Sequence, residues 1–188
     1  MPLNIPILLT WLRVALIPLV VGVYYLPPQW LPHADQNLAA TVVFIVAAIT
    51  DWFDGFLARR WNQTSAFGAF LDPVADKLMV AGALLILIQL QRVDAVIAFI
   101  IIGREITISA LREWMAQIGA HHKMQVSGLA KFKTIVQIVG LSMMLFRWDL
   151  FGLPIFAIGT VLTVIAAALT LISMLAYLRA AWPELARR

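Results

Sequence analysis

Residues 51–77 read DWFDGFLARRWNQTSAFGAFLDPVADK and place four carboxylates inside two apolar stretches, on either side of the short polar loop RWNQTS. The four are Asp51, Asp54, Asp72 and Asp76. Residues three or four apart lie on one side of an α-helix, so each pair of aspartates shares a helix face. At about 1.5 Å per residue, each pair lies roughly 12 Å from the loop. The stretch therefore predicts a helical hairpin in which four carboxylates meet at one depth.

The composition of the chain indicates a membrane protein. Of its 188 residues, 62% are hydrophobic and only 13% are charged, and the mean hydropathy is +0.90. A soluble domain is nearer half apolar and a quarter charged. The chain has no cysteine, which excludes disulfides and thiolate metal sites. The formal net charge of +4 is no sign of a nucleic-acid partner by itself, and we expect none.

Six apolar runs follow one another along the chain, each close to the roughly 20 residues that a membrane-spanning helix needs. They cover about residues 7–26, 38–57, 68–91, 93–110, 129–146 and 153–178. No internal repeat divides them. We therefore predict an all-α integral membrane protein, a single domain over residues 1–188 with six transmembrane helices.

The positions of lysine and arginine predict the orientation of these helices. With the amino terminus in the cytoplasm, only Arg92 and Arg147 of the 14 basic residues fall on the far side. Basic residues are enriched in cytoplasmic loops, so both termini are predicted to be cytoplasmic. The residues on the cytoplasmic side are Arg13, Arg59, Arg60, Lys77, Arg104, Arg112, Lys123, Lys131, Lys133, Arg179, Arg187 and Arg188.

The acidic cluster predicts a metal site. One charged side chain inside a membrane helix costs about 2.5–3.5 kcal/mol on insertion scales, and repulsion among four carboxylates adds to that cost. Two divalent cations would neutralise the four, and ligands that are all oxygen favour Mg²⁺ or Mn²⁺. Mg²⁺ usually keeps positions open for substrate phosphates. We therefore expect two divalent cations and a phosphate-bearing substrate.

Structural roles for the same carboxylates are also possible. Asp72 precedes Pro73, an order typical of a helix N-cap and its first turn. The first two aspartates could instead form ion pairs with Arg59 and Arg60. Intramembrane carboxylates also occur in divalent-cation transporters, although a transporter would place them nearer the bilayer midplane, between broken helices.

Eight residues match, at fixed spacing, the signature of the CDP-alcohol phosphatidyltransferase family, which the chain resembles over nearly its whole length. They are Asp51, Asp54, Gly55, Ala58, Arg59, Gly68, Asp72 and Asp76. The stretches at 4–18, 104–114 and 128–134 most resemble family members that transfer a phosphatidyl group from CDP-diacylglycerol to sn-glycerol 3-phosphate and release CMP. Members with inositol phosphate, serine or phosphatidylglycerol as the acceptor share the signature and differ in the fourth and fifth helices.

The resemblance implies roles for the four aspartates. Asp51, Asp54 and Asp72 would bind two divalent cations, Mg²⁺ or Mn²⁺. Asp76 would contribute a ligand and also act as the general base that takes a proton from the acceptor hydroxyl.

The resemblance also implies where the lipid substrate binds. Gly55 and Arg59 would contact the cytidine diphosphate group of CDP-diacylglycerol, and Thr10 and Arg13 would lie near the nucleotide. Family members of this kind are homodimers in the bacterial inner (cytoplasmic) membrane, with active sites that face the cytoplasm. We expect the same here, with membrane lipids around the chain.

The acceptor carries its own phosphate, so a second anion site is needed. Arg104 and Arg112 lie eight residues apart, about 80° round a helix, and a glutamate follows each of them. Lys131 and Lys133 open the fifth apolar run. These four cations are the candidates for binding the phosphate of sn-glycerol 3-phosphate. The alternative for Lys133 is a side chain that reaches lipid headgroups.

Overall fold

A computed structural model describes residues 5–61, 66–119 and 128–185 of the chain. Within these ranges the chain forms six α-helices, and one turn of 3-10 helix (Val23–Tyr25) follows the first. The α-helices are α1 (Ile5–Gly22), α2 (His33–Arg60), α3 (Ala66–Gln89), α4 (Ala95–Gln117), α5 (Gly128–Phe146) and α6 (Ile155–Leu185). Their number and order confirm the prediction of six helices.

Prolines, a capping aspartate and a glycine mark several of the helix boundaries. The stretch LPPQWLP between α1 and α2 contains three prolines, which lack the N–H that a helix needs. Asp94 caps α4, because its side chain accepts the N–H of Val96 at 2.7 Å. The backbone at Gly119, with φ +75°, adopts the left-handed conformation that commonly follows a helix.

Three helices extend beyond the predicted apolar runs. α4 continues to Gln117 and α6 to Leu185, and α2 begins at His33. The added residues include charged and polar side chains, which lower the hydropathy of a sequence window. Arg, Glu, Gln and Ala nevertheless favour helix. Hydropathy therefore reports the apolar part of a helix and not its full length.

The helices α2 and α3 do not pack closely on each other as a simple hairpin would. α1 packs against both α2 and α3, whereas α2 and α3 contact each other only slightly. α5 and α6 form the most extensive helix pair, and α4 packs against α3 and α6. Side chains of α1 can therefore reach the acidic residues of α2 and of α3.

The buried centre of the molecule is apolar. Its largest side chains come from α2, α3, α4 and α5 and include Phe44, Met79, Leu84, Leu87, Ile101, Leu141, Met144 and Leu145. A smaller cluster joins α4 to α6 through Ile108, Met115, Tyr177 and Ala181. Outward-facing positions are also apolar, among them Leu85, Phe99, Ile135 and Ile172. Apolar side chains on the outside of a helical protein are what a lipid environment requires.

By length and hydropathy, three helices in the described ranges can cross a membrane. They contain the stretches Leu8–Tyr25, His33–Phe53 and Ile155–Trp182, and α5 carries a shorter apolar stretch, Phe132–Phe146. Six membrane spans and cytoplasmic termini stay predictions.

Candidate active site

α1 supplies the first contacts to the acidic cluster. Thr10 donates its hydroxyl to Oδ1 of Asp72 at 3.1 Å, and Nη1 of Arg13 lies 2.5 Å from Oδ1 of Asp51. Thr10 and Arg13 are three residues apart and therefore lie on one side of α1. Both are buried, and no part of the Arg13 side chain is exposed. One surface of α1 thus holds a carboxylate of α2 and a carboxylate of α3 at nearly the same level.

The carboxylates act on one another through space. Asp51 lies within electrostatic range of Asp72, and Asp76 lies within range of Asp51. The positive charges of Arg13 and Lys77 act on Asp76 as well. Three carboxylates therefore share two cations, and the described part of the cluster keeps an excess of negative charge.

The donor set fits a hard divalent cation. Carboxylate oxygens are the ligands that Mg²⁺ and Mn²⁺ prefer, and the uncompensated negative charge would be neutralised by such an ion. Among the described side chains, no three acidic, histidine or cysteine groups are close enough together to enclose a metal ion. The side chain of the fourth aspartate, Asp54, lies outside the described part of the structure.

The structure contradicts one of the two structural alternatives. Asp72 and Pro73 lie inside α3, which begins at Ala66. The interpretation of Asp72 as a helix N-cap is therefore wrong. Asp51 pairs with Arg13 of α1. The side chain of Arg59 lies outside the described part, so an ion pair between it and an aspartate is neither confirmed nor contradicted.

A basic cluster lies on α4, α5 and α6. Nη1 of Arg104 donates to Oε1 of Glu105 at 3.1 Å, and its Nη2 donates to the hydroxyl of Ser173 at 2.8 Å. Nζ of Lys133 pairs with the same oxygen of Glu105. Arg104 and Lys133 are both buried, so Lys133 does not extend to lipid headgroups.

Arg112 is held by an aromatic residue of α6. Its Nη2 donates to the hydroxyl of Tyr177 at 3.0 Å, and its guanidinium carbon lies 5.1 Å from the centre of the Tyr177 ring. Both a hydrogen bond and a cation–π contact therefore fix this cation. The positive charges of Arg104 and Arg112 both act on Lys133. Three of the four predicted acceptor-site cations are thus close together, and the side chain of Lys131 lies outside the described part.

Glu105 connects the two clusters. It pairs with Arg104 and Lys133, and its charge also acts on Asp76 of α3. A mostly apolar cavity of about 260 Å³ lies between α3 and α4, and Lys77 and Glu105 form part of its wall. The acidic and basic clusters are therefore neighbours, and Glu105 lies between their charges.

The sequence indicated Glu105 only as a partner of Arg104, and it gave no role to Ser173 or Tyr177. A signal for the last two exists. Thr163, Thr170, Ser173 and Tyr177 recur at spacings of seven, three and four residues in an otherwise apolar run. This spacing places them on one face of α6, and all four are buried.

The chain is similar to known proteins over nearly its whole length. A family model described as CDP-alcohol phosphatidyltransferase matches residues 3–178. A protein of Shigella flexneri serotype 5b (strain 8401) is 50% identical over 187 residues, which are 98% of this chain and 98% of the relative. A protein of Escherichia coli (strain K12) has the same identity and coverage. Both relatives carry the name CDP-diacylglycerol–glycerol-3-phosphate 3-phosphatidyltransferase.

Proposed function

Since the chain belongs to the CDP-alcohol phosphatidyltransferase family, we propose that it transfers the phosphatidyl group of CDP-diacylglycerol to sn-glycerol 3-phosphate. The new bond joins the 1-hydroxyl oxygen of the acceptor to the phosphatidyl phosphorus. The bond that breaks joins this phosphorus to the oxygen that leaves with CMP. The products are phosphatidylglycerophosphate and CMP, in the biosynthesis of membrane phospholipids. This proposal rests on the two named relatives, each of which matches 98% of the chain.

The acidic cluster would bind the diphosphate end of the lipid substrate. Asp51, Asp54, Asp72 and Asp76 would hold two divalent cations, Mg²⁺ or Mn²⁺, which when bound neutralise charge on the diphosphate and on the leaving CMP. Asp76 would also accept the proton of the attacking hydroxyl. The charge of Glu105 acts on Asp76 as well as on the cations that it pairs with, Arg104 and Lys133. Asp76 is thus the carboxylate near the proposed acceptor site, which supports this role.

Gly55, Arg59, Thr10 and Arg13 would lie around the cytidine diphosphate group. Thr10 and Arg13 contact the carboxylates directly, so their part is to orient Asp72 and Asp51. Arg59 has the side chain that best matches phosphate oxygens, because its planar group can donate two parallel hydrogen bonds.

The basic cluster would bind the phosphate of the acceptor. Arg104, Arg112 and Lys133 together carry three positive charges, and Glu105 carries one negative charge. The remaining charge of two matches a phosphate monoester, which carries about −1.5 to −2 at neutral pH. Lys131, two residues before Lys133 and about 200° from it round α5, would add its positive charge from the other side of the helix.

We further propose that six helices span the bacterial inner (cytoplasmic) membrane, with both termini and the active site on the cytoplasmic side. The lipid substrate would enter from the bilayer and the acceptor from the cytoplasm. The homodimer is a prediction that cross-linking of the protein in native membranes would test.

The proposed reaction is tested by release of CMP. Purified protein in detergent micelles would receive CDP-diacylglycerol, Mg²⁺ or Mn²⁺, and either sn-glycerol 3-phosphate, inositol phosphate, serine or phosphatidylglycerol. We expect CMP release with sn-glycerol 3-phosphate and none after chelation of the cations. Release with another acceptor alone would contradict the proposed acceptor. Release with none, together with cation uptake into proteoliposomes, would support a transporter instead.

The role of Asp76 is tested by Asp76→Asn. The substitution keeps the size of the side chain and removes its ability to take a proton. We expect kcat to fall about 10²–10⁴-fold, the usual contribution of a general base. Normal turnover of this variant would contradict the assignment.

A further inference from the structure

A second cavity, of about 450 Å³, lies at the opposite end of α2 from Asp51. Its wall includes Tyr24 at the end of α1, Asn37 in the second turn of α2, and Arg92 and Arg147 in the turns before α4 and after α5. Asn37 precedes Asp51 by 14 residues on α2, about 21 Å along the helix axis. The cavity is therefore separate from the candidate active site.

Arg92 is held in place beside this cavity by the ends of two helices. Its Nη1 donates to the backbone oxygens of Met144 at 3.3 Å and Leu145 at 3.1 Å, near the end of α5. Its Nη2 donates to Oδ1 of Asn37 at 2.8 Å, an oxygen that also accepts the hydroxyl of Tyr24 at 3.2 Å. Among the described residues, the buried Nε of Arg92 has no hydrogen-bond partner. The guanidinium thus has a fixed position and unused hydrogen-bonding capacity.

A second arginine meets the first at the same cavity. Burial lowers the pKa of the Arg92 guanidinium from its ordinary value, Tyr24 raises it, and the positive charge of Arg147 lowers it. Arginine nevertheless stays charged in proteins. An anion between the two guanidinium groups would replace their repulsion with attraction.

The turns that end α3 and α5 bring both arginines to the cavity. Gln91, next to Arg92, has φ 55°, and Arg147 itself has φ 66°. Left-handed conformations commonly end a helix. Here the N–H of Arg92 donates to the backbone oxygen of Leu87 at 2.8 Å, and the N–H of Arg147 donates to that of Met143 at 3.1 Å. Arg92 and Arg147 are also the two basic residues that the topology prediction leaves on the far side. The enrichment of basic residues on the cytoplasmic side therefore does not explain why these two arginines are present.

The proposed membrane spans would put the cavity at the level of lipid phosphates. Tyr24 and His33 stand at the adjoining ends of two stretches that can span a membrane, Leu8–Tyr25 and His33–Phe53. Trp148 and Leu90 add an aromatic and an apolar wall. Tyrosine and tryptophan at the ends of membrane spans lie at the level of lipid headgroups.

We propose that this cavity binds the phosphate-bearing headgroup of an anionic phospholipid from the membrane leaflet opposite the active site. The phosphate oxygens lie between the guanidinium groups of Arg92 and Arg147, and the glycerol end of the lipid packs on Trp148. A lipid in this position joins the ends of α1, α2 and α5 to the turn before α4. It therefore stabilises the folded protein.

The test is a lipid titration of thermal stability. Purified wild-type protein in neutral detergent micelles would be titrated with phosphatidylglycerol, with phosphatidylcholine, or with inorganic phosphate and no lipid. A ligand that binds only the folded protein raises Tm, so the titration yields an apparent Kd. We expect phosphatidylglycerol to raise Tm of the wild type well above the effect of phosphatidylcholine, and inorganic phosphate to raise it little.

Arg147→Gln is the informative variant, because Arg147 is exposed and can be replaced without opening the core. We expect its apparent Kd for phosphatidylglycerol to rise about tenfold, the effect of one lost charge-assisted hydrogen bond. Arg147→Lys should keep most of the affinity. Arg179→Gln, which removes an exposed arginine from the other end of the molecule, should keep all of it.

Each lipid-free variant serves as its own baseline, so a general change in stability does not affect the comparison. An unchanged Kd in Arg147→Gln, or an equal loss in Arg179→Gln, would overturn the proposal. An equal rise in Tm with inorganic phosphate alone would show that the cavity binds a soluble anion and not a lipid.

Discussion

Arg13 is fully buried and pairs with Asp51, so one carboxylate of the candidate active site already has a counter-charge from the protein. Arg13→Gln removes that charge. We expect it to lower the free energy of unfolding by about 1–3 kcal/mol without divalent cations. The loss is smaller than for a wholly buried pair because the Asp51 side chain is 36% exposed.

Mg²⁺ should restore more stability to Arg13→Gln than to the wild type, because the ion then supplies the missing positive charge. Thermal unfolding with and without Mg²⁺ measures this difference. Thr10→Val is the control, since it removes a neutral contact to Asp72 and leaves the charge of the cluster unchanged. If Mg²⁺ shifted Tm of the wild type and of Arg13→Gln equally, Asp51 would not be part of the cation site.

Arg112 and Tyr177 allow the acceptor site to be tested by a pair of variants. Arg112→Gln should raise KM for sn-glycerol 3-phosphate about tenfold or more, because it removes a charge-assisted contact to phosphate. KM for CDP-diacylglycerol should change much less. Steady-state CMP release with each substrate varied in turn measures both constants.

Tyr177→Phe is the matched control for Arg112→Gln. It removes the 3.0 Å hydrogen bond to Arg112 and keeps the ring beneath the guanidinium. We expect KM for sn-glycerol 3-phosphate to rise by no more than about threefold, because the positive charge of Arg112 and the ring beneath it remain and only one hydrogen bond that orients Arg112 is lost. If Arg112→Gln raised KM for CDP-diacylglycerol more than KM for sn-glycerol 3-phosphate, Arg112 would belong to the lipid-substrate site instead.

At the scale of elements, α5 and α6 cross at two glycines. A Cβ added to Gly140 would lie 2.7 Å from Oγ1 and 3.0 Å from N of Thr163, and 3.1 Å from O of Gly159. A Cβ on Gly159 would lie 2.9 Å from O of Gly140. Backbone atoms cannot yield as a flexible side chain can. Small residues therefore set the distance between these helices, as they commonly do in membranes.

Gly140→Ala should destabilise the protein by about 1–3 kcal/mol, the usual cost of overpacking. Gly103→Ala is the control, because its added Cβ would meet nothing within 4 Å and alanine favours a helix interior by about 0.5–1 kcal/mol. Unfolding in detergent measures both. A Gly140→Ala variant as stable as Gly103→Ala would show that the crossing can open without cost.

The helices could be predicted from the sequence, but their neighbours could not. Each apolar run is long enough for a helix and is bounded by proline, glycine or charge, so six helices were foreseeable. An apolar helix gives little indication of which side meets protein and which meets lipid, because both are apolar. In α1 the polar side chains are Thr10 and Arg13, and they predicted that this helix lies near the site. They did not predict that Thr10 contacts Asp72 or that Arg13 contacts Asp51.

The grouping of charged side chains was predictable where charge had to be compensated. Four carboxylates in an apolar context called for cations, and buried arginines called for an anion or an acid. The part that escaped prediction is Glu105, whose acceptance of both Arg104 and Lys133 depends on how α4 and α5 pack. Spacing within one helix does not determine contacts between two.

At the scale of the whole molecule, the predicted topology can be tested directly because the chain has no cysteine. Phe151, which is 95% exposed in the α5–α6 turn, lies at the far end, and Arg60 lies near the loop after α2. In intact cells, a thiol reagent that cannot cross the membrane should label Phe151→Cys. It should label Arg60→Cys only after the cells are permeabilised. The opposite pattern would invert the orientation and move the active site out of the cytoplasm.

Ribosomes make Arg13 before Asp51, and that order matters for insertion of the nascent chain. Asp51 follows Arg13 by 38 residues, so α1 is already synthesised when the acidic part of α2 enters the membrane. A lone carboxylate would oppose that entry. The buried arginine of α1 provides a partner for it before α3 and its carboxylates are complete. We expect the first helix to act as an insertion aid for the second, and a chain that lacks α1 to lose α2 from the membrane as well as the contacts to its aspartates.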